Sequence, residues 1–460
     1  MPHNDTTLVS RLVQDIQERI TARTLLSGAK LPSIRAQAAL WNVSMTTVVE
    51  AYDRLVAEGL IASRRGAGFY VVGHPPPFNL AETGPRLERD VDPLWVSRQS
   101  LETSPSMLRP GCGWLPAEWM PDPLLRRSMR LLARTKTTSL TDYGSLRGSL
   151  ELREYLARRL NQLGVNASPP QILLVESGTQ AVDLLCRFLL EPGDTVLLDD
   201  PCYFNFRALL RAHRVDVQAV PYTPTGPDIE KFSALLTKTK PRLYITNCAV
   251  HNPTGASLTA ATAHRVLKLA EEHNVIIIED DIFSDFETDP SPRLSAFDGL
   301  DRVIQIGSFS KTISASLRCG YIATKPDWIE GLEDLKIATS FSSSGLTAEL
   351  LLTILKDGAY RKHIEALRVK LARLMSLTIN RLQGVGITPW VMPRAGMHLW
   401  GALPQGRDAT QLARDALAQD IVFAPGNVFS PTQSASHFMR FNVTQMLDER
   451  IFTFLKKNLE

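Results

Sequence analysis

The chain lacks several features that would assign it to a specialised class of protein. Among its 460 residues, no apolar run approaches the roughly 20 residues needed to span a bilayer, and residues 1–7 are polar, unlike a signal peptide. Its five cysteines are widely spaced, without a Cys-x-x-Cys pair, which argues against a disulfide framework and a zinc site. The net charge of only +3 gives no evidence about nucleic acid. We therefore expect a cytoplasmic protein with no membrane segment and no metal site.

The composition is that of an ordinary globular protein with more than one domain, since 44% of residues are hydrophobic and 22% charged. The sequence pattern divides the chain into residues 1–72, 73–105 and 106–460. The middle part begins at His74-Pro75-Pro76-Pro77 and has few apolar repeats, so we predict a linker there. In the third part, β-branched runs such as Ile172–Val175 and Leu243–Thr246 alternate with helical segments. This alternation predicts an α/β domain with a mostly parallel sheet.

Residues 1–72 have the pattern of three helices followed by two short strands. An apolar residue recurs every fourth position from Leu8 to Ile20, and Ser33 and Ser44 are placed to cap two further helices. A basic turn, Arg64-Arg65-Gly66, separates the strands. Two helices joined by a short turn and followed by a hairpin form a winged helix-turn-helix, which reads DNA. A helical bundle used for dimerisation is the alternative.

The residues expected to contact DNA lie at the start of the third helix and in the turn between the strands. Ser44, Thr46 and Thr47 begin the helix, where side chains reach base edges or phosphates first. The segments Leu31-Pro32-Ser33-Ile34-Arg35 and Val43-Ser44-Met45-Thr46-Thr47-Val48, with the residues that follow to Leu60, resemble the GntR-type DNA-binding domain. The resemblance implies DNA contacts for Arg35, Ser44, Thr46, Arg65 and Gly66. The family usually has arginine where this chain has Met45, so one charged contact is missing.

A second set of residues follows the strands of the third part. Lys311, in Gly307-Ser308-Phe309-Ser310-Lys311, follows a buried strand and can form a Schiff base once it is neutral. Ser308 and Ser310 can donate to a phosphate, and Arg318 can pair with it. These groups suit pyridoxal 5'-phosphate, which needs an amine for its aldehyde and partners for its phosphate. A lone lysine, however, usually lies on the surface.

Further groups that suit this cofactor end other predicted strands, where ligands collect in open α/β sheets. A carboxylate of Glu279-Asp280-Asp281 can hold the ring nitrogen, and Asn252 can donate to the ring hydroxyl. Ser177-Gly178-Thr179-Gln180 opens a helix and makes an anion site. Tyr203 can stack on the ring. Taken singly, a strand-end cap, an ordinary turn and a core aromatic are the alternatives for Asp280, Asn252 and Tyr203.

In their order along the chain these motifs resemble the fold-type I aminotransferase family over nearly all of residues 106–460. The resemblance implies that Lys311 forms the Schiff base, that Asp280 and Asn252 hold the ring, and that the phosphate is held by Thr179, Gln180, Ser308, Ser310 and Arg318. It also implies that Tyr143 reaches the phosphate of a partner subunit, hence a homodimer, and that Arg440 binds a carboxylate. Without that context, Arg440 could equally form a surface salt bridge. Phe283 stands where the family has a tyrosine, so one donor to the ring hydroxyl is lost.

A GntR-type reader joined to an aminotransferase-like domain resembles the MocR subfamily of bacterial regulators. That resemblance implies a transcriptional regulator whose large domain senses pyridoxal phosphate itself or a small amino compound and relays the change to DNA. A working aminotransferase with an accessory DNA-binding domain is the alternative, and the sequence leaves enzymatic activity open. A DNA-binding dimer whose large domain has lost the cofactor is a third hypothesis.

Overall fold

A computed structural model of the chain describes residues 7–21, 24–25, 28–64, 66–72, 95–101, 106–135 and 140–459. The chain forms two compact units, residues 1–82 and residues 83–460. Within the described residues, no helix is both long and apolar enough to span a bilayer. No group of three or more acidic, histidine or cysteine side chains in that part of the chain is placed to hold a metal ion. All five cysteines are free and buried.

The first unit has three helices and a two-stranded antiparallel sheet, as the sequence predicts. Its elements are α1 (Leu8–Thr21), α2 (Ile34–Trp41), α3 (Met45–Ala57), β1 (Ile61–Arg64) and β2 (Gly68–Val71). The Ser33 hydroxyl caps α2 by accepting from the Ala36 amide at 3.2 Å, and the Ser44 hydroxyl caps α3 by accepting from the Thr47 amide at 3.1 Å. Both predicted caps are therefore confirmed.

The core of the first unit is formed by one face of each helix. Leu12 and Ile16 of α1 pack against Val48, Tyr52 and Leu55 of α3, and all five side chains are fully buried. The buried ring of Tyr52 meets Phe69 of β2 edge to face at 4.9 Å, and its hydroxyl donates to the Pro32 carbonyl at 3.0 Å. These contacts join the hairpin to the helices and leave the opposite face of α3 exposed.

The second unit contains thirteen helices among the described residues of 83–460. They are α4 (Trp95–Leu101), α5 (Asp122–Leu132), α6 (Leu150–Gln162), α7 (Gly178–Leu189), α8 (Phe204–Ala212), α9 (Ile229–Thr239), α10 (Ala260–Glu272), α11 (Leu294–Asp298), α12 (Ile329–Ser340), α13 (Gly345–Lys356), α14 (Gly358–Gln383), α15 (Ala409–Leu417) and α16 (Glu449–Leu459). Hydrophobic clusters lie between these helices and the central sheet.

The central sheet has eight strands in the order β3-β10-β9-β8-β7-β4-β5-β6. They are β3 (Ile172–Val175), β4 (Thr195–Asp200), β5 (Asp216–Thr223), β6 (Gly226–Pro227), β7 (Leu243–Thr246), β8 (Ile276–Asp280), β9 (Val303–Ser308) and β10 (Gly320–Ala323). The strands from β5 through β4, β7 and β8 to β9 pair in parallel, and β10 is antiparallel to both of its neighbours. The α/β prediction with a mostly parallel sheet is confirmed.

A second sheet of four antiparallel strands lies nearer the carboxyl end of the chain. Its order is β11 (Thr388–Pro389), β12 (His398–Ala402), β14 (Phe438–Asn442) and β13 (Ala424–Pro425). This sheet was not predicted from the sequence. It is nevertheless important for the site, because β14 carries Arg440.

Helix α4 lies within the stretch that was predicted to be a linker. The stretch 73–105 was expected to be a tether, but residues 95–101 form α4, and Trp95 and Val96 are each only 2% exposed. Both side chains belong to the same hydrophobic cluster as Leu115 and Trp119. The linker prediction is therefore wrong for these seven residues, because burial of two large apolar side chains outweighs the absence of a longer helical pattern. The rest of that stretch lies outside the described residues.

Candidate functional site

The second unit contains a cavity of about 210 Å³ at the carboxyl ends of several parallel strands. Eight of the predicted site residues line it: Thr179, Tyr203, Asn252, Asp280, Ser310, Lys311, Arg318 and Arg440. Seven of them follow or end β3, β4, β7, β8 and β9, whose carboxyl ends meet at one edge of the central sheet, whereas Arg440 comes from the middle of β14 in the second sheet. The apolar part of the wall includes Val182, Phe204, Phe206, Leu209 and Ile282.

Lys311 directs its amine into an enclosed cavity that it shares with the Arg440 guanidinium and the Asp280 carboxyl group. The amine donates to the Gly113 carbonyl at 2.6 Å. Burial lowers the pKa of Lys311 to about 8, and the nearby Arg440 guanidinium acts in the same direction. A lysine with this pKa has an appreciable neutral fraction near pH 8, so it is a nucleophile available for a carbonyl group.

Asp280 is a buried carboxylate that forms no ion pair with any of the described residues. It is only 7% exposed, and its Oδ1 accepts from the Ile282 amide at 3.1 Å. Burial raises the pKa of Asp280 to about 7, although Lys311 acts in the opposite direction. A ligand with a protonated ring nitrogen would offset this cost of burial and favour the ionised carboxylate.

Arg440 and Asn252 form one hydrogen-bonded pair in the cavity wall. Nη1 of Arg440 donates to the Asn252 side-chain oxygen at 2.9 Å, and Nη2 donates to the Gly111 carbonyl at 2.7 Å. Nε of Arg440 has no hydrogen-bond partner among the described residues, and burial lowers the pKa of Arg440 to about 10. A guanidinium that is 1% exposed, still charged at neutral pH and paired with no carboxylate of the described residues is suited to bind an anion.

The amino terminus of α7 and the residues after β9 form the polar end of the cavity. Ser177, Gly178 and Thr179 line it at the first turn of α7, where backbone amides favour an anion. Ser310 and Arg318 line the cavity beside them, and Arg318 is exposed. This end therefore offers hydroxyls, amides and a guanidinium to a phosphate.

Three predicted cofactor residues do not line this cavity. The Gln180 side chain accepts from the Glu176 amide at 2.6 Å, and the Ser308 hydroxyl donates to the Cys319 carbonyl at 3.1 Å and pairs with Ser310 at 2.7 Å. Tyr143 lies in a different pocket, is 81% exposed, and packs its ring on Phe341 at 4.9 Å. Within one chain, the structure therefore does not bring Tyr143 to Lys311.

Phe283 lines the cavity and has no hydroxyl to offer. Its ring meets the buried His398 ring edge to face at 5.5 Å. Burial, Arg440 and Lys311 all lower the pKa of His398, so this ring is neutral, and its Nε2 has no hydrogen-bond partner among the described residues. A neutral histidine behind a phenylalanine leaves this side of the cavity without a charged donor.

Several residues that shape the cavity were not predicted from the sequence. Val96, Ser97 and Ser100 of α4 line it, as do Gly113 and Trp114. Asn247 also lines it and ties two strand ends together: its amide donates to the Asp280 carbonyl, and its side-chain oxygen accepts from the Asn252 amide at 2.8 Å. Asn247 directly follows β7, so its position at a strand end was a signal that could have found it.

The predicted DNA contacts lie on the exposed side of the first unit. Arg35 in the first turn of α2, and Ser44 and Thr46 at the start of α3, are exposed, whereas Thr47 is half-buried. The Ser44 and Thr47 hydroxyls are bonded to each other at 2.8 Å. These two side chains therefore also serve the helix cap, while Arg35 and Thr46 are free of that task.

The turn between β1 and β2 is also exposed at Gly66, which has a φ of 75° and open space around its α-carbon. This left-handed conformation favours glycine. Arg64 places its guanidinium over the Tyr70 ring at 4.6 Å. Arg65, the other predicted contact of this turn, lies outside the described residues.

Together these features define a winged helix-turn-helix unit in the same chain as a large α/β unit with a lysine-containing cavity. The family model for bacterial regulatory proteins of the gntR family matches residues 8–71, and the model for aminotransferase class I and II matches residues 120–457. The chain therefore belongs to the aminotransferase class I and II family, with a GntR-type DNA-binding domain before it, the arrangement of MocR-type regulators.

Curated relatives share both parts of the chain. The HTH-type transcriptional regulator NorG of Staphylococcus aureus is 28% identical over 449 residues, covering 93% of this chain and 100% of the relative. The uncharacterized HTH-type transcriptional regulator YdfD of Bacillus subtilis is 27% identical over 444 residues, covering 94% and 91%. The chain is thus a transcriptional regulator with an aminotransferase-like domain.

Solved structures resemble the large unit. A kynurenine aminotransferase of Pyrococcus horikoshii, crystallised with PMP, has a TM-score of 0.73 at 23% identity and covers 81% of this chain and 94% of that chain. The α-aminoadipate aminotransferase LysN of Thermus thermophilus has a TM-score of 0.71 at 24% identity, covering 78% and 95%. These similarities confirm the aminotransferase fold.

Proposed function

We propose that this regulator binds pyridoxal 5'-phosphate at Lys311 and changes its binding to DNA when the cofactor, or a small amino compound bearing a carboxylate, occupies the cavity. The observation that carries the proposal is the convergence of Lys311, Asp280 and Arg440 in one cavity. Burial disfavours the charged form of each of these three side chains. Pairing with the cofactor or with a carboxylate would offset this cost.

The residues of the cavity fit the cofactor group by group. Lys311 would offer the amine, Asp280 would pair with the ring nitrogen, and Asn252, in the same cavity wall, would donate to the ring hydroxyl. Ser177, Gly178, Thr179, Ser310 and Arg318 offer donors to the phosphate, and Tyr203 offers an aromatic face. When bound, the cofactor supplies an aldehyde that reacts reversibly with amines. The chain's own residues then hold it, orient it and keep one end of the cavity cationic.

The cavity also favours a particular kind of effector. Arg440 has a buried guanidinium with one unpartnered nitrogen, so a carboxylate gains a charged hydrogen bond there. The apolar wall of Phe204, Phe206 and Leu209 favours a short hydrocarbon body. A small amino acid or related amine satisfies both requirements, with its amine directed towards Lys311.

Helix α4 is the element that we propose couples occupancy of the cavity to DNA binding. Its Val96, Ser97 and Ser100 line the cavity, and it is the first described element after the residues that join the two units along the chain. An effector that contacts α4 differently in two arrangements would shift the balance between them. We further propose a cytoplasmic homodimer, in which Tyr143 of each chain serves the partner's site.

The test is a gel-shift measurement with the full chain and the DNA upstream of its own gene, with and without pyridoxal phosphate and a panel of amino acids. We expect DNA affinity to change with the cofactor or with one amino acid in the wild type, and Lys311→Ala to abolish the change. Lys362→Ala, which alters an exposed lysine on α14, is the matched control and retains the response.

The outcomes separate the proposal from its rival. DNA affinity that is identical in every condition contradicts it. Many turnovers of an amino acid and a keto acid, without retention of DNA, would instead establish an aminotransferase. Absence of any absorbance change on adding the cofactor would favour a DNA-binding dimer that has lost it.

A further inference from the structure

The exposed face of α3 has an apolar pair at its amino-terminal end. Met45 and Val49 are 53% and 38% exposed and lie four residues apart, hence on the same face one turn from each other. The pair flanks the buried face of α3, which carries the fully buried Val48, Ala51 and Tyr52. Met45 and Val49 therefore contribute little to the core of this unit, and their exposure needs another explanation.

The same face lacks the charges that bind phosphate. No lysine or arginine occurs in α3 before Arg54, in its last turn, and the exposed residues around the pair include Thr46, Glu50 and Asp53. Phosphates attract cations, so this face is poorly suited to the DNA backbone. Its apolar and acceptor groups suit the edges of bases instead.

The major groove offers one apolar group to a protein, the C5-methyl of thymine. The helix rises about 5.4 Å per turn, and stacked bases are about 3.4 Å apart. Met45 and Val49 therefore span about two base-pair steps when the start of α3 enters the groove, as the second helix of a helix-turn-helix does.

We propose that Met45 and Val49 determine sequence specificity by packing on thymine methyl groups about two base pairs apart in the operator. This inference rests on the DNA-binding part of the proposed function. Where an arginine at position 45 would favour guanine through its O6 and N7, the methionine favours a thymine. The surface is continuous with Ser44 and Thr46, which begin the same helix.

The experiment starts from sites that the full-length wild type enriches from a random duplex library. Each enriched thymine is replaced by deoxyuracil, which removes only the methyl group. We expect at least one replacement to weaken wild-type binding about fourfold, the loss that corresponds to one buried methyl. In Met45→Ala or Val49→Ala, the same replacement should have no further effect.

Two variants sharpen the test. Val56→Ala alters a residue of α3 that is 39% exposed but two turns beyond Val49, so this control should keep the sensitivity to deoxyuracil. Met45→Arg should change the preferred base at one position of the enriched site from thymine to guanine. Because each comparison is made within one protein, a general loss of affinity or stability cancels.

The results that overturn the inference are distinct from those that overturn the proposed function. Enriched sites without thymine, or deoxyuracil losses that persist unchanged in both alanine variants, contradict the role of Met45 and Val49. Failure of the wild type to enrich any sequence contradicts specific DNA reading as a whole.

Discussion

The amine of Lys311 depends on its surroundings for reactivity. Burial and the Arg440 guanidinium lower the pKa of Lys311 to about 8, and the Gly113 carbonyl holds the amine at 2.6 Å. Lys336 is a second buried lysine whose burial lowers its pKa to about 8, but it donates to the Leu146 carbonyl away from the cavity. The chain thus provides two amines of similar basicity, of which only Lys311 adjoins Asp280 and Arg440.

The first prediction concerns pH and the choice between these two lysines. The neutral fraction of Lys311 rises as the pH rises through about 8, so the rate of covalent cofactor attachment should increase about tenfold from pH 7 to pH 9 and then level off. An unperturbed lysine would still be gaining reactivity towards pH 10.5. Stopped-flow absorbance gives the profile.

Borohydride reduction followed by peptide mapping should place the label on Lys311 and leave Lys336 unlabelled. A label shared equally by both lysines would show that basicity alone, and not the cavity, decides.

How much of the site the sequence could predict depends on where each group comes from. Asp280, Asn252 and Lys311 were predictable because they follow apolar runs, and parallel strands bring their carboxyl ends to one edge. Gly113 was not, because it acts through its backbone carbonyl and has no side chain to signal a role. The predicted phosphate residue Gln180 does not line the cavity because its side chain is bonded to the Glu176 amide at the start of α7. Local hydrogen bonds of this kind depend on distances in the folded chain, which cannot be deduced from the sequence.

At the scale of elements, caps and strands with strong local signals were predicted, and short elements were not. Ser33 and Ser44 mark helix starts through their own hydroxyls. The second sheet was missed because β11 and β13 are each two residues long and each contains a proline. Helix α4 was missed because it has seven residues, and its place depends on burial of Trp95 in a core formed by distant parts of the chain. Tertiary packing decides such elements, and local propensity does not.

The second prediction tests one cap. Ser33→Ala removes the acceptor for the Ala36 amide and should lower the free energy of unfolding of the first unit by about 1 kcal/mol. Ser33→Asp keeps an acceptor and should stay near the wild type. Hydrogen exchange of the amides in α2, measured on the full chain, gives both values. The second unit should be unaffected, and equal protection of α2 in all three proteins would rule out a stabilising role for this hydroxyl.

At the scale of the whole molecule, the surface around Tyr143 is apolar and exposed. The Tyr143 ring is 81% exposed and packs at a tilt against Phe341, itself 54% exposed, and Leu140 and Leu346 nearby along the chain are also exposed. Apolar residues gathered in this way are more typical of an interface than of a free surface. The family resemblance proposes a second copy of the chain as the partner, with Tyr143 reaching the cofactor phosphate of that copy.

The third prediction follows from such shared sites. Lys311→Ala and Tyr143→Ala should each weaken cofactor binding when made alone. When the two variants are mixed and allowed to exchange subunits, mixed dimers contain one site with both residues intact. Cofactor absorbance should then recover to about a quarter of the wild-type level, since about half of the dimers are mixed and each has one of two sites. No recovery after exchange, confirmed by native mass spectrometry of the mixed species, would place Tyr143 outside the partner's site.

The position of α4 has a practical consequence for anyone who divides this chain. The aminotransferase family match begins at residue 120, yet α4 at residues 95–101 and the Gly113 carbonyl both border the Lys311 cavity. A fragment started at the family boundary would leave one side of the chamber open to water and deprive the lysine of its hydrogen-bond acceptor. Ligand measurements on such a fragment would describe a different receptor from the one the intact regulator presents.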